Sequence, residues 1–277
     1  MKRRVTAALA ALCLYAGFAY AQDRDELVVG LGPYAPQLHP YRTIYSHDMQ
    51  ILNALHEGLF SYHPSSLEPV RAHAAAFSKS QDGKTWTFTL RESLRWSDGS
   101  PITAEDYVES WRYLLSPGTK SEFAVFFDVI QGAQDYRAGK NADPASLGFR
   151  AEGERTLVVT LNAPTAYFTR LLCHMSFVPV HASLRNGKAV AASDLISSGP
   201  YRLASLDDSA LLLEKDENYW DAASVAIRRI KVLYLATEDE ATSLYNDGAI
   251  DWLMDMADTE KLATLDHVQY APSFGTG

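Results

Sequence analysis

Trp96-Ser97-Asp98-Gly99-Ser100-Pro101-Ile102-Thr103-Ala104-Glu105-Asp106-Tyr107-Val108 is the stretch on which the fold turns. Asp98-Gly99 signals a tight turn. Thr103, with Asp106 three residues on, reads as a capping box that opens a helix, with Asp in place of the longer Glu. Tyr107, Val108, Trp111, Leu114 and Leu115 supply one apolar side of that helix, and Pro117-Gly118 stops it. Just upstream, Trp86, Phe88 and Leu90 alternate with Thr85, Thr87 and Thr89, the period-two pattern of a half-buried strand. A strand feeding a turn and a capped helix places the chain in a mixed α/β class.

The same reading extends outward. Leu27 to Leu31 is a short apolar strand, followed by the turn-rich segment Gly32 to Pro40. Met49, Ile51, Leu52, Leu55 and Leu59 fit one helical face, with Ser46 placed to cap its start and Gly58 near its end. Thr156 to Leu161 forms a strand closed by Pro164. Tyr201 to Leu206, Ala210 to Glu214 and Ile230 to Leu235 form three more, and a helix runs from Glu238 to Tyr245 before Asp247-Gly248. Acidic pairs such as Asp207-Asp208, and the run Glu238-Asp239-Glu240, suit turns and helix starts.

The first residues read as an address. Lys2, Arg3 and Arg4 precede an uncharged apolar run from Val5 to Tyr20, and Ala19-Tyr20-Ala21 is a small-x-small cleavage site, so residues 1–21 are expected to be a secretory signal. That run is short for a membrane span of roughly 20 residues. Cys173 is then the only cysteine of the mature chain, which excludes an internal disulfide and suggests a small buried apolar side chain. The whole chain has 277 residues, 47% of them hydrophobic, and 25 Lys+Arg against 34 Asp+Glu give a net charge of −9. This is globular composition for about two domains, and its acidity argues against a nucleic-acid partner.

Catalytic signatures are missing. There is no G-x-S-x-G, no S-x-x-K set, no cysteine-protease pattern and no phosphate loop; Gly30-Leu31-Gly32 lacks the third glycine of a dinucleotide turn. No catalytic residue is assigned, and neither enzyme activity nor a cofactor is expected. Five of the eight histidines (His39, His47, His56, His63 and His73) fall within a 35-residue window. Their spacing offers no H-E-x-x-H or H-x-H pair, so no metal ligand is assigned.

The order of the motifs is more specific than any one of them. Leu38-His39-Pro40 is similar to an L-D-P turn, with His for Asp. Glu57-Gly58-Leu59-Phe60 matches E-G-L-F, and Ser80-Gln81-Asp82-Gly83-Lys84-Thr85-Trp86-Thr87-Phe88-Thr89-Leu90-Arg91 matches S-x-D-G-K-T-Y-T-F-x-L-R. The opening stretch is similar to W-S-D-G-x-P-V-T-A-x-D-F-V nearly throughout, with Ile102 for V and Tyr107 for F. Ser198-Gly199-Pro200-Tyr201, Asn218-Tyr219-Trp220-Asp221 and Gly248-Ala249-Ile250-Asp251 follow and are similar to S-G-P/A-Y, N-x-Y-W-D (one position shorter here) and G-x-I-D. With these blocks the chain resembles, from Leu27 to its last residue, the periplasmic oligopeptide-binding proteins among the extracellular solute-binding proteins of peptide and nickel ABC importers.

The resemblance implies a periplasmic-binding-protein-like clamshell lobe, a mixed β-sheet with flanking helices, plus an inserted smaller α+β domain. Residues 22–60 and 170–277 would form the first ligand-binding lobe, discontinuous in sequence, and 61–169 the insert. It also implies a periplasmic protein that captures oligopeptides and delivers them to a permease and ATPase complex in the cytoplasmic membrane. A peptide would lie extended, its backbone paired with Thr43, Ile44, Tyr45 and Ser46 by strand addition, with Phe123 lining the cleft. The plain alternative for residues 43–46 is an exposed connector into the helix. Nickel or haem is the alternative ligand within the family, and a secreted hydrolase the alternative outside it.

Members of that family are roughly twice as long, and the second lobe and its carboxyl-terminal contacts would lie beyond Gly277. The expectation is of a truncated member, which leaves an apolar face and an unpaired sheet edge and so behaves poorly in solution. Half a cleft is also expected to bind peptide weakly or not at all. Calorimetry on the isolated mature chain checks this: no micromolar or tighter peptide affinity is expected.

Overall fold

The structure, a computed structural model, describes residues 25–185 and 194–254. The expected signal at residues 1–21 lies outside the described residues. In chain order the elements are β1 (Glu26–Leu31), α1 (Ser46–Leu55), β2 (Phe60–Tyr62), β3 (Pro69–Arg71), β4 (Ala74–Lys79), β5 (Thr85–Leu90) and α2 (Ala104–Leu115). A 3-10 helix (Glu122–Val129), α3 (Ala133–Arg137), β6 (Phe149–Ala151), β7 (Thr156–Thr160) and α4 (Phe168–Leu171) follow. The order closes with β8 (Tyr201–Leu206), β9 (Ala210–Lys215), β10 (Arg229–Tyr234), α5 (Glu238–Asn246) and β11 (Trp252–Leu253).

Two sheets carry the architecture. The first is mixed, with strand order β11-β1-β10-β9-β8. In it β1 lies parallel to both β10 and β11, while β9 is antiparallel to its neighbours. The second, β4-β5-β7-β6, is antiparallel throughout. Along β5 the apolar residues Trp86, Phe88 and Leu90 are buried and the three threonines between them half-buried, as alternation requires. One continuous core joins the sheets, from Val29 and Val232 in the first to Phe88 and Val159 in the second.

The corner ahead of α2 is built from local bonds. The Asp98 Oδ1 accepts from the Ser100 N–H at 2.9 Å, and Gly99 sits at φ +86°, where a side chain would be strained. The Thr103 hydroxyl accepts from the Asp106 N–H at 3.3 Å and the Asp106 carboxylate accepts from the Thr103 N–H at 2.9 Å, so the short Asp closes the capping box. Trp111, fully buried on α2, donates its indole N–H to the Phe177 carbonyl at 3.1 Å and meets Phe127, Phe149 and Phe177 edge-on.

Three local expectations need correction. The cap of α1 is Tyr45 rather than Ser46, which is the first helical residue, and no side chain caps that end. The helix stops at Leu55, so Leu59 is buried beyond it and not on its face. Cys173 is half-buried and not fully buried; its thiol donates to the Thr169 carbonyl at 3.3 Å, and burial pushes it up to about 12.

Gly199 approaches the end of α1 so closely that a Cβ would lie 2.8 Å from the His56 nitrogen and from the Leu55 carbonyl carbon. A Cβ at Gly99 meets nothing within 4 Å. Gly199→Ala should therefore lower stability by about 1–3 kcal/mol through overpacking against backbone. Gly99→Ala should cost about 1–2 kcal/mol from backbone strain alone, and urea unfolding of the two variants side by side measures both.

Candidate functional site

Asp48, in the first turn of α1 and 1% exposed, organises the loop that precedes the helix. Its Oδ1 accepts from the Gln37 N–H at 3.2 Å, and its Oδ2 accepts from the Thr43 hydroxyl. The Thr43 hydroxyl oxygen in turn accepts from the Tyr45 N–H at 3.2 Å. Tyr34 closes the outer side: its hydroxyl lies 3.2 Å from the His47 Nδ1, and the Tyr45 ring stacks on the His47 ring at 5.4 Å. One carboxyl group thus holds both ends of the 37–43 loop.

The four expected backbone-pairing residues separate into two kinds. Thr43 is 3% exposed and its side chain points into the Asp48 network. Ile44 and Tyr45 are 56% and 61% exposed. Among the described residues none hydrogen-bonds to the Ile44 backbone N–H or C=O. Ser46 has entered the helix. A concavity of about 340 Å³ opens beside Thr43, Ile44 and Tyr45, lined also by Gln37, Tyr41, Arg42, Lys120 and Glu122.

Phe123 is not among the residues lining that concavity. It follows Glu122 in the 3-10 helix, and its ring packs 4.7 Å from the His174 ring and 5.5 Å from Phe126. Sequence reading missed Arg42, Lys120 and Glu122. The available signal for Lys120 was its place directly after Pro117-Gly118-Thr119, where the chain adopts φ +54°.

Four of the described histidines serve as turn acceptors. His39, His63, His174 and His181 each take the backbone N–H two residues on with Nδ1, at 3.1, 3.3, 3.1 and 3.3 Å. An Asx side chain performs the same role in turns, which accounts for His39 standing where Asp is usual. The His39 Nε2 lies 3.3 Å from the Leu184 carbonyl and fixes the tautomer with that nitrogen protonated. Among the described residues no group of three or more His, Cys, Asp and Glu is placed to hold a metal ion.

A second carboxyl group, the largely covered Glu57, joins distant motifs. Its Oε1 accepts from the Tyr219 hydroxyl at 2.7 Å and its Oε2 from the Trp220 indole N–H at 2.6 Å. The Arg91 guanidinium lies 3.7 Å above the Trp220 ring. His73, whose Nδ1 is 2.9 Å from the Tyr107 hydroxyl, lies 3.6 Å from Glu57. Burial pushes the Glu57 carboxyl up to about 7, against the two hydrogen bonds that lower it.

Asp48→Ala should strand the Gln37 N–H and the Thr43 hydroxyl and cost about 1–3 kcal/mol. Amide hydrogen exchange should speed up across residues 37–45 more than in β5. A pH dependence follows from burial. His39 and His174 are lowered to about 4, and His56 and His73 to about 3. An unfolded histidine protonates near 6.5, so the stability these four contribute is full above about pH 6.5 and is lost as pH falls. Each adds up to about 1.4 kcal/mol of loss per pH unit. Glu57 works in the opposite sense, stabilising below about 4.5 and losing that contribution as pH rises to 7; one such group is outweighed by four histidines. The urea midpoint should drop from pH 7 to pH 5, and His56→Leu should make that drop shallower.

Comparison with known proteins bears directly on this geometry. Residues 68–277 match the family described as bacterial extracellular solute-binding proteins, family 5 Middle. The oligopeptide-binding protein OppA of Bacillus subtilis (strain 168) is 31% identical over 236 residues, which cover 82% of this chain and 43% of that protein. The periplasmic murein peptide-binding protein MppA of Escherichia coli (strain K12) is 34% identical over 234 residues, covering 83% of this chain and 43% of that protein. The solved structure of Listeria monocytogenes OppA bound to peptide superposes with a TM-score of 0.77 at 29% identity, over 82% of this chain and 46% of that one. The chain therefore spans less than half the length of these relatives, and the fold they share is the mixed α/β fold of peptide-binding proteins. On the match of more than half its residues, the chain belongs to family 5 of the bacterial extracellular solute-binding proteins.

Proposed function

We propose that this chain takes part in capturing oligopeptides outside the cytoplasmic membrane, for delivery to a permease and ATPase complex of an ABC importer. The peptide lies extended along Thr43, Ile44 and Tyr45 and reaches Ser46, the first residue of α1, with Phe123 next in the chain to Glu122 of the concavity's lining. The observation that carries this reading is the Ile44 backbone, whose N–H and C=O have no partner among the described residues beside an open concavity. Tyr45 is extended, at φ −84° and ψ 135°, the conformation an added strand requires. The names of the relatives support a peptide as ligand and a periplasmic location. Residues 61–169 are read as the inserted domain; β4, β5, β6 and β7 all fall within that range and pair only with one another.

Strand addition draws its affinity from main-chain bonds and leaves side chains largely free. The reading has no catalytic step. Titration of the isotope-labelled chain with short peptides, followed by amide chemical shifts, tests it. The Ile44 and Tyr45 amides should move together and saturably, whatever the peptide's side chains. Because half a cleft binds weakly, the titration runs to roughly 10 mM peptide; shifts confined to other surfaces at that concentration, or none, would overturn the proposal.

A further inference from the structure

Two cations face the concavity beside the strand-addition segment without a carboxylate to neutralise them. Arg42 and Lys120 both line it, and among the described residues neither lies within 4.0 Å of an Asp or Glu oxygen. Arg42 spends one Nη2 donor on the Tyr113 hydroxyl at 3.1 Å, which orients the guanidinium and leaves most of its donors free. Lys120 is held at φ +54°, in the left-handed region that a lysine adopts only under constraint. Glu122 lines the same concavity and pairs with neither cation. In a chain of net charge −9, two unpaired cations against one anion make a local reversal of sign.

We infer that Arg42 and Lys120 select peptides that place a carboxylate in this concavity. The inference rests on the strand-addition reading and adds the ligand class. A peptide paired with Ile44 presents alternate side chains toward the protein, and an acidic one there meets a guanidinium able to bind it in bidentate fashion together with an ammonium. Glu122 opposes deeper entry of a second negative charge, so the site takes one carboxylate. Side-chain and terminal carboxylates share this chemistry, and blocked peptides tell them apart.

The test titrates the labelled chain with acetyl-Ala-Glu-Ala-amide and acetyl-Ala-Gln-Ala-amide, and with Ala-Ala-Ala carrying a free or an amidated carboxyl end. In low salt the Glu peptide should bind roughly 3- to 10-fold tighter than the Gln peptide, with the advantage lost near 1 M salt. Preference for free over amidated Ala-Ala-Ala, without a Glu effect, would assign the site to the peptide terminus instead of a side chain and overturn the side-chain form. Arg42→Gln and Lys120→Asn together should abolish the preference, bringing the affinities for the Glu and Gln peptides together; Asn is chosen because it tolerates the left-handed backbone. Equal binding of all four peptides, or a preference that survives the double variant, would overturn the inference while leaving strand addition standing. Failure of every peptide to shift the Ile44 and Tyr45 amides would overturn both.

Discussion

The interaction on which the rest of the structure depends is the hydrogen bonding of the Glu57 carboxyl group to Tyr219 and Trp220, 162 and 163 residues further along the chain. Glu57 lies two residues past the end of α1 and precedes β2, while Tyr219 and Trp220 lie between β9 and β10 of the mixed sheet. Ser198 reinforces the junction from a third stretch, accepting from the Glu57 N–H at 3.2 Å. Arg91, which caps the Trp220 ring, also donates to the Ala72 carbonyl at 2.6 Å, so the end of β5 is drawn in as well. Motif blocks that lie far apart in sequence are neighbours because each contributes to this one buried polar cluster. Such a cluster is costly unless every member is satisfied, and here the carboxylate has two strong donors.

The ligand-facing loop is fixed by similar means on a smaller scale. Asp48 holds Gln37 and Thr43, and His39 closes the Leu38-Pro40 turn by accepting from Tyr41. Tyr41 is itself buried and donates its hydroxyl to the Val178 carbonyl at 2.6 Å. The side chains that position the segment therefore point inward, and the groups left over for a ligand are backbone atoms and two exposed apolar side chains. This suits a receptor that reads main chain first. Selectivity then falls to charges on the rim, where each contact is worth little alone.

Much of this was legible in the sequence wherever the determining bonds are local. The capping box at Thr103 and Asp106, the Asp98-Gly99 turn and the alternation of β5 need only residues within a few positions, and the structure has all three. β8 matched the expected Tyr201 to Leu206 throughout, because a turn built on Asp207 follows it immediately. β4 escaped notice because Ala74 to Lys79 shows no alternation, and its pairing with β5 carries a register shift. The helix start at Ser46 was misplaced by one residue because Asp48 turns to the preceding loop and no side chain caps the end. The histidine turns were hidden for a different reason: nothing in the spacing of an imidazole announces that it accepts from a backbone amide. Arg42 and Lys120, far apart in sequence, meet only through tertiary structure.

The place of β1 in the mixed sheet has a consequence for how the molecule comes into being. Its neighbours on both sides are parallel strands from the other end of the described chain, and the Val28 N–H bonds the side chain of Asp251, 223 residues away. The antiparallel sheet of β4 to β7 can assemble as soon as its own strands have emerged from the ribosome. β1 emerges before any of them and has no partner until β10 has been translated. The first strand of the described residues thus waits for strands more than 200 residues further along before its backbone is paired.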